Sequence, residues 1–173
     1  MDSGRWRARR KRAKAPRAWQ DARRIGSAQR TRMLKLIDSS PLVDDATLAR
    51  FNAYFGNKLP PAMLAFYRSA NGGYLRGEDE DTDPTGVASL IAVGDGRTCI
   101  ENLHRDYIQG FPHLAEYVPF AEDNFGNCYV LSLRDEDYGH IYLHLLEDDE
   151  LMLIEDSFEE LMEGIERRQQ EAR

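Results

Sequence analysis

Residues 117–133 read YVPFAEDNFGNCYVLSL, and this stretch decides the fold. A short apolar run, Val118, Pro119, Phe120 and Ala121, meets the polar segment Glu122, Asp123, Asn124, Phe125, Gly126 and Asn127. A second apolar run, 128–133, leaves it. That order reads as strand, turn, strand. Asp and Asn tolerate left-handed or side-chain-bonded backbone and Gly takes positive φ without steric cost, so the chain can reverse here while its flanks stay paired. The turn thereby sets the register of a sheet.

Working outward toward the C-terminus, residues 134–139 are a charged turn, 140–146 a strand, 147–150 an acidic turn and 151–154 a last strand. The final helix has the clearest pattern. Asp156 or Ser157 offers an N-cap, Glu159 or Glu160 completes a capping box, and Phe158, Leu161, Met162 and Ile165 form one apolar stripe before a charged tail at 166–173.

Toward the N-terminus, residues 87–93 read as a strand turned by Gly94-Asp95-Gly96. Ile100, Leu103, His104, Tyr107 and Ile108 then give a short helix. Tyr74 and Leu75 begin the first strand. Two amphipathic helices precede it. One is capped by Asp44 or Asp45, carries Leu48, Phe51 and Phe55 and closes at Gly56-Asn57; the other starts at Leu59-Pro60-Pro61, carries Met63, Phe66, Tyr67 and Ala70, and ends at Asn71-Gly72-Gly73. Met33, Leu34, Leu36 and Ile37 are expected to make a further short amphipathic turn or two of helix.

The chain has 173 residues, of which 42% are hydrophobic, which suits one domain with a substantial core. Its net charge of −7 hides two opposed parts. Residues 1–32 hold ten Arg and two Lys against Asp2 and Asp21, a net of +10, while residues 33–173 hold eleven basic and 28 acidic side chains, a net of −17. We therefore expect a basic, disordered arm over 1–32 and a folded domain over 33–173. The arm lacks the apolar content to offset its ordering entropy. Arg interleaved with Trp6 and Trp19 suits a nucleic-acid or acidic-surface tether; a solvated extension upstream of an alternative start at Met33, or an organelle-type presequence, fits the same composition.

Only Cys99 and Cys128 are present, which points to a reducing, cytoplasmic setting. The sequence contains no run of 18 apolar residues, so no membrane association is expected. Signs of chemistry are few. Asp79, Asp81 and Asp83 imitate the opening of a calcium loop, but Pro84 stands where the sharp-turn Gly is required and Leu90 where the bidentate Glu belongs. His140 and His144 are four apart in a strand, roughly 13 Å, too far to share an ion. Nucleophile-elbow, phosphate-loop, zincin and dinucleotide patterns are missing. We expect no catalytic residue, no metal site and no cofactor.

The order of landmarks resembles the SUKH superfamily. These are Leu59-Pro60, Phe66, Asn71-Gly72-Gly73, Pro119-Phe120 with Asp123, Gly126 and Asn127 leading into Tyr129-Val130-Leu131, and Ser157-Phe158-Glu159-Glu160-Leu161, over about residues 40 to 165. The basic arm and the acidic insertion at 78–83 depart from that pattern. The resemblance implies a single α+β domain, its central mixed or mainly antiparallel sheet flanked by helices, and a role in binding protein. It also implies either an immunity protein that occludes a cognate toxin domain or a regulatory scaffold of the yeast cell-wall-regulator type.

The landmarks, Phe158 included, read as skeleton: Leu59, Phe66, Phe120 and Phe158 as core, the glycines as backbone. Binding is then expected on the acidic loops, through Glu78, Asp79, Asp81 and Asp83 and through Glu147, Asp148, Asp149 and Glu150. Tyr74, Phe111 and Tyr138 are the expected exposed aromatic anchors beside them. Nucleic acid is a possible partner only through the arm.

Overall fold

The computed structural model describes residues 34–75 and 86–171. Both the basic arm and the acidic segment carrying Glu78, Asp79, Asp81 and Asp83 lie outside the described residues. Among the described residues, seven antiparallel strands form one sheet in chain order: β1 (Leu36–Ile37), β2 (Gly73–Leu75), β3 (Val87–Leu90), β4 (Tyr117–Asp123), β5 (Cys128–Ser132), β6 (Ile141–Leu145) and β7 (Glu150–Glu155). Helices α1 (Asp45–Tyr54) and α2 (Pro61–Ser69) lie between β1 and β2, α3 (Ile100–Gly110) between β3 and β4, and α4 (Phe158–Glu171) closes the chain. The molecule is a single α+β domain with its sheet flanked by helices.

The central hairpin forms as its sequence directs. In β5 every residue is buried, because Tyr129 and Leu131 face one apolar cluster while Cys128 and Val130 face another. The larger cluster is filled by Leu48, Phe51 and Phe55 of α1, Met63 and Tyr67 of α2, and Phe158, Leu161, Met162 and Ile165 of α4. The smaller one, around Val130, Tyr142 and Leu114, is covered by Leu103 and Tyr107 of α3 and by Phe111. Pro119 sits in β4 where the register with β5 shifts, between Pro119–Val130 and Ala121–Tyr129. A bulge is where a strand tolerates a residue without an N–H.

Helix ends follow the capping residues. Asp44 Oδ1 accepts the Thr47 N–H at 2.8 Å, and Ser157 Oγ accepts the Glu160 N–H at 3.2 Å. Pro61 opens α2, where a missing N–H leaves no bond unmade.

Three expectations are corrected. The segment around Leu34–Ile37 is an edge strand, with Leu36 opposite Leu75 and Ile37 opposite Tyr74. Four apolar residues cannot nucleate a helix alone, whereas β2 offers open backbone partners. Gln169 holds β1 from the other side, accepting the Lys35 N–H at 2.9 Å and donating to its carbonyl at 3.0 Å. The tail beyond Ile165 therefore continues as helix to Glu171. Finally, β3 stops at Leu90, since Val93 is taken by a side chain rather than by a strand.

Candidate protein-binding surface

An antiparallel meander sends alternate connections to opposite ends of the sheet. The β4–β5 and β6–β7 turns therefore share one end, where β2 also finishes and β3 begins. Glu122, Asp123, Glu147, Asp148, Asp149 and Glu150 all belong to this end. Its turns are tied together. Asp123 Oδ1 accepts the N–H groups of Phe125 and Asn127, each at 2.8 Å, and Oδ2 accepts Asn127 Nδ2 at 2.8 Å. Asn127 Oδ1 then accepts the Leu146 N–H at 3.2 Å, joining the first turn to the second. Gly126 takes φ +85, closing the reversal.

This scaffold presents Phe125 at the hairpin tip with its side chain 90% exposed, and Leu146 is exposed on the neighbouring turn. In the sequence Phe125 reads only as part of a turn. Its signal is there: an aromatic at the tip of Asp-Asn-Phe-Gly has no core within reach.

The other expected anchors are distributed differently. Tyr74 is exposed on β2, at 59%. Tyr138 is also exposed, at 48%, but lies on the β5–β6 connection at the opposite end, its hydroxyl donating to the Lys58 carbonyl at 2.7 Å. Phe111 is half-buried, packing in the smaller cluster with its ring 4.6 Å from that of His144. It is not the exposed anchor expected from sequence, because the apolar face beyond Val130 and Tyr142 needs cover and Phe111 supplies part of it.

Beneath the acidic end lies a polar group invisible to spacing rules. His144 is fully buried on β6, and its Nε2 is 2.8 Å from Asp149 Oδ1. His113, from the 3-10 turn Pro112–Leu114, brings its own Nε2 to the same oxygen at 3.1 Å. The Tyr107 hydroxyl bonds His144 Nδ1, and Tyr107 also meets the Cys128 thiol. Burial holds the His144 imidazole below its ordinary value against the opposing pull of Asp149, and burial pushes the Cys128 thiol up, keeping it protonated. Asp149 reaches back from a left-handed backbone, φ +51, which Asp tolerates better than most residues. Thus Asp149 is engaged from below, while Glu147, Asp148 and Glu150 face solvent. His113, His144 and Asp149 could together hold a metal ion; His140 is not in that group.

The landmark residues sit where a skeleton needs them. Leu59, Phe120 and Phe158 are buried, and Phe66 packs edge-on against Phe158 at 5.7 Å. Gly72 (φ +67) and Gly73 (φ +118) leave no room for a side chain, since a Cβ would come within 2.8 Å of the Ala92 nitrogen and of the Ile37 carbonyl oxygen respectively.

At the opposite end, Asp137 is buried and accepts bonds from Ser132 Oγ (2.6 Å), Tyr142 Oη (2.6 Å) and Arg134 Nη2 (2.6 Å). Burial alone would raise its carboxyl; those three donors outweigh it and hold the group down to about 2. A shallow cleft of about 340 Å³ beside α1 and α3 is lined by Arg50, Tyr54, Cys99, Glu101 and Arg105. Burial keeps the Cys99 thiol above its ordinary range, so the cleft offers no ready thiolate.

Among the described residues no helix is long and apolar enough to cross a membrane. No curated protein matches the chain. A family model described as the SMI1/KNR4 family (SUKH-1) matches residues 42–164. That span runs from the approach to α1 into α4 and takes in every landmark from Leu59 to Phe158. Members of the SUKH family are generally non-catalytic immunity or regulatory proteins, and their domains are protein-interaction modules. By this match, over most of its length and through the core that the landmarks build, the chain belongs to the SMI1/KNR4 family (SUKH-1).

Proposed function

We propose that the chain is an immunity protein that binds a cognate bacterial toxin domain in the cytoplasm and neutralises it by occlusion. The observation that carries this reading is Phe125, 90% exposed on a cross-tied pair of turns and rimmed by carboxylates. An aromatic anchor within a charged rim is the common anatomy of a tight protein interface. A net of −17 over residues 33–173 favours a basic partner such as a nuclease, because complementary fields accelerate encounter.

Phe125 and Leu146 form the proposed apolar centre. Tyr74, Glu147, Asp148 and Glu150 form its surround; Glu78, Asp79, Asp81 and Asp83, proposed as further acidic contacts, lie outside the described residues. Asp149 supports the turn from beneath, Phe111 belongs to the core, and Tyr138 is too far round the sheet to join the same contact. The arm, 1–32, is proposed to lie outside the binding domain, 33–173.

The test is stopped-flow binding to the product of a neighbouring toxin gene across a salt series. Association that slows with salt and with charge reversal at Glu147, Asp148 and Glu150 supports the reading; association indifferent to both removes the steering argument. If no neighbouring product binds, the chain is instead a regulatory or scaffold module of the yeast cell-wall-regulator type, with the basic arm as a second attachment point.

A further inference from the structure

We propose that His113, His144 and Asp149 form a binding site for a divalent transition metal of the zinc class. The three come from two elements that are distant in sequence: the 3-10 turn after α3, and the end of β6 with the turn that follows it. Both imidazole Nε2 atoms converge on one carboxylate oxygen, at 2.8 and 3.1 Å. One ligand atom from each residue lies within 4.8 Å of the other two.

In a four-coordinate site with bonds of about 2.0–2.1 Å, donor atoms stand roughly 3.3 Å apart. Inserting the ion therefore asks each imidazole nitrogen and the Asp149 oxygen to separate by a few tenths of an ångström. His144 is packed on all sides, so the movement falls to His113 and Asp149, whose side chains are 28% and 39% exposed on surface turns.

The surroundings suit a metal. A ligating imidazole needs its second nitrogen held, and His144 Nδ1 is bonded to the Tyr107 hydroxyl. Two nitrogens with one carboxylate select zinc-like ions over calcium or magnesium, which need mostly oxygen donors. With three protein donors, a fourth position faces the exposed side of His113 and Asp149, open to water or to a donor from outside. Bound metal would pin the β6–β7 turn to the 3-10 turn and stiffen the acidic end.

The experiment uses the full chain, prepared without a polyhistidine tag and stripped of metal, titrated calorimetrically with Zn²⁺ at pH 7.5. A parallel titration with Co²⁺ reads the visible absorption of a tetrahedral site. One equivalent of zinc is expected, with the cobalt spectrum displaced by it. His113→Ala and Asp149→Asn, both at partly exposed positions and so expected to fold, should each weaken binding at least tenfold. Tyr107→Phe, at a positioning residue, should weaken it about 10- to 100-fold, and His140→Ala should leave it unchanged. Absence of stoichiometric zinc uptake by the wild-type chain overturns the site, as does uptake that survives both His113→Ala and Asp149→Asn. Neither result bears on toxin binding, which is read separately.

Discussion

Asn71 grips Val93 at both of its backbone groups: Oδ1 accepts the Val93 N–H at 2.8 Å and Nδ2 donates to the Val93 carbonyl at 3.1 Å. The same Nδ2 donates to the Pro41 carbonyl at 2.8 Å. One buried side chain thus stands in for a strand where β3 has ended, and anchors the segment leading into α1. Asn71→Ala would leave the Val93 groups dehydrated and unpaired, each costing about 1 to 3 kcal/mol. We expect a loss of at least about 2 kcal/mol by urea denaturation, with Asn71→Asp recovering little, because a carboxylate cannot donate to either carbonyl. A loss under about 0.5 kcal/mol would show that water replaces the amide.

Phe158 fastens α4 to the sheet, its ring 5.4 Å from that of Phe120 and 5.7 Å from that of Phe66. Truncation to alanine should cost about 3 to 5 kcal/mol, as large aromatic deletions in cores do. The check is the urea midpoint at unchanged m-value; a near-neutral outcome would mean that α4 does not rest on the sheet in solution.

Glu155, where β7 hands over to α4, should make stability depend on pH. Burial, reinforced by the charges of Glu160 and Asp156, pushes its carboxyl up to about 7 from an ordinary 4.5. The folded state then holds this proton more tightly than the unfolded chain does. The associated stability is fully present below about 4.5 and is lost as pH rises through about 7. Glu155→Gln carries no such titration, so its thermal midpoint should exceed that of the wild type at pH 8 and the gap should close below pH 4.5. Parallel profiles across that range would contradict the assignment.

Phe125 separates binding from folding. Nothing in the core depends on a side chain 90% exposed, so Phe125→Ala should change stability by no more than about 0.5 kcal/mol. On the proposed reading, loss of an interface anchor costs about 2 kcal/mol or more, and dissociation from the toxin should accelerate about tenfold or beyond while association barely changes. Surface plasmon resonance resolves the two rates. Unchanged dissociation would place the anchor elsewhere, with Tyr74 the next to test.

Asp137 supplies the acid limb. Its carboxyl is held down to about 2 in the fold, so the stability it adds is present above its ordinary value near 3.8 and is lost as pH falls toward 2. Replacing it with Ala removes the carboxylate that pairs Arg134 and accepts from the Ser132 and Tyr142 hydroxyls, which should cost about 3 kcal/mol at pH 7. That cost should shrink as the solution is acidified; a cost independent of pH would point to packing rather than charge.

Much of the fold was legible because local rules and the tertiary structure agree. The turn at Asp123–Asn127 closes through its own side chains, α1 and α4 begin at Asp44 and Ser157, and Leu161, Met162 and Ile165 share the stripe that their spacing implies. Each of these is settled within about eight residues of chain, and so it is written in that stretch. The segment at Leu36–Ile37 is not: two residues become a strand only because β2 offers an open edge and Gln169, more than a hundred positions away, bonds Lys35.

The site divides along the same line. Composition alone determined that the domain is strongly acidic, and the Asp-Asn-Phe-Gly turn alone required an exposed tip. Only the tertiary structure decided that the β4–β5 and β6–β7 turns meet at one end, that Tyr138 lies at the other, and that Phe111 is needed to cover Val130 and Tyr142. It alone brought His113 to His144 and Asp149. Charge and turn chemistry are sums over near neighbours, whereas a shared end or a shared carboxylate depends on strand order and helix placement, which are fixed by burial across the whole chain.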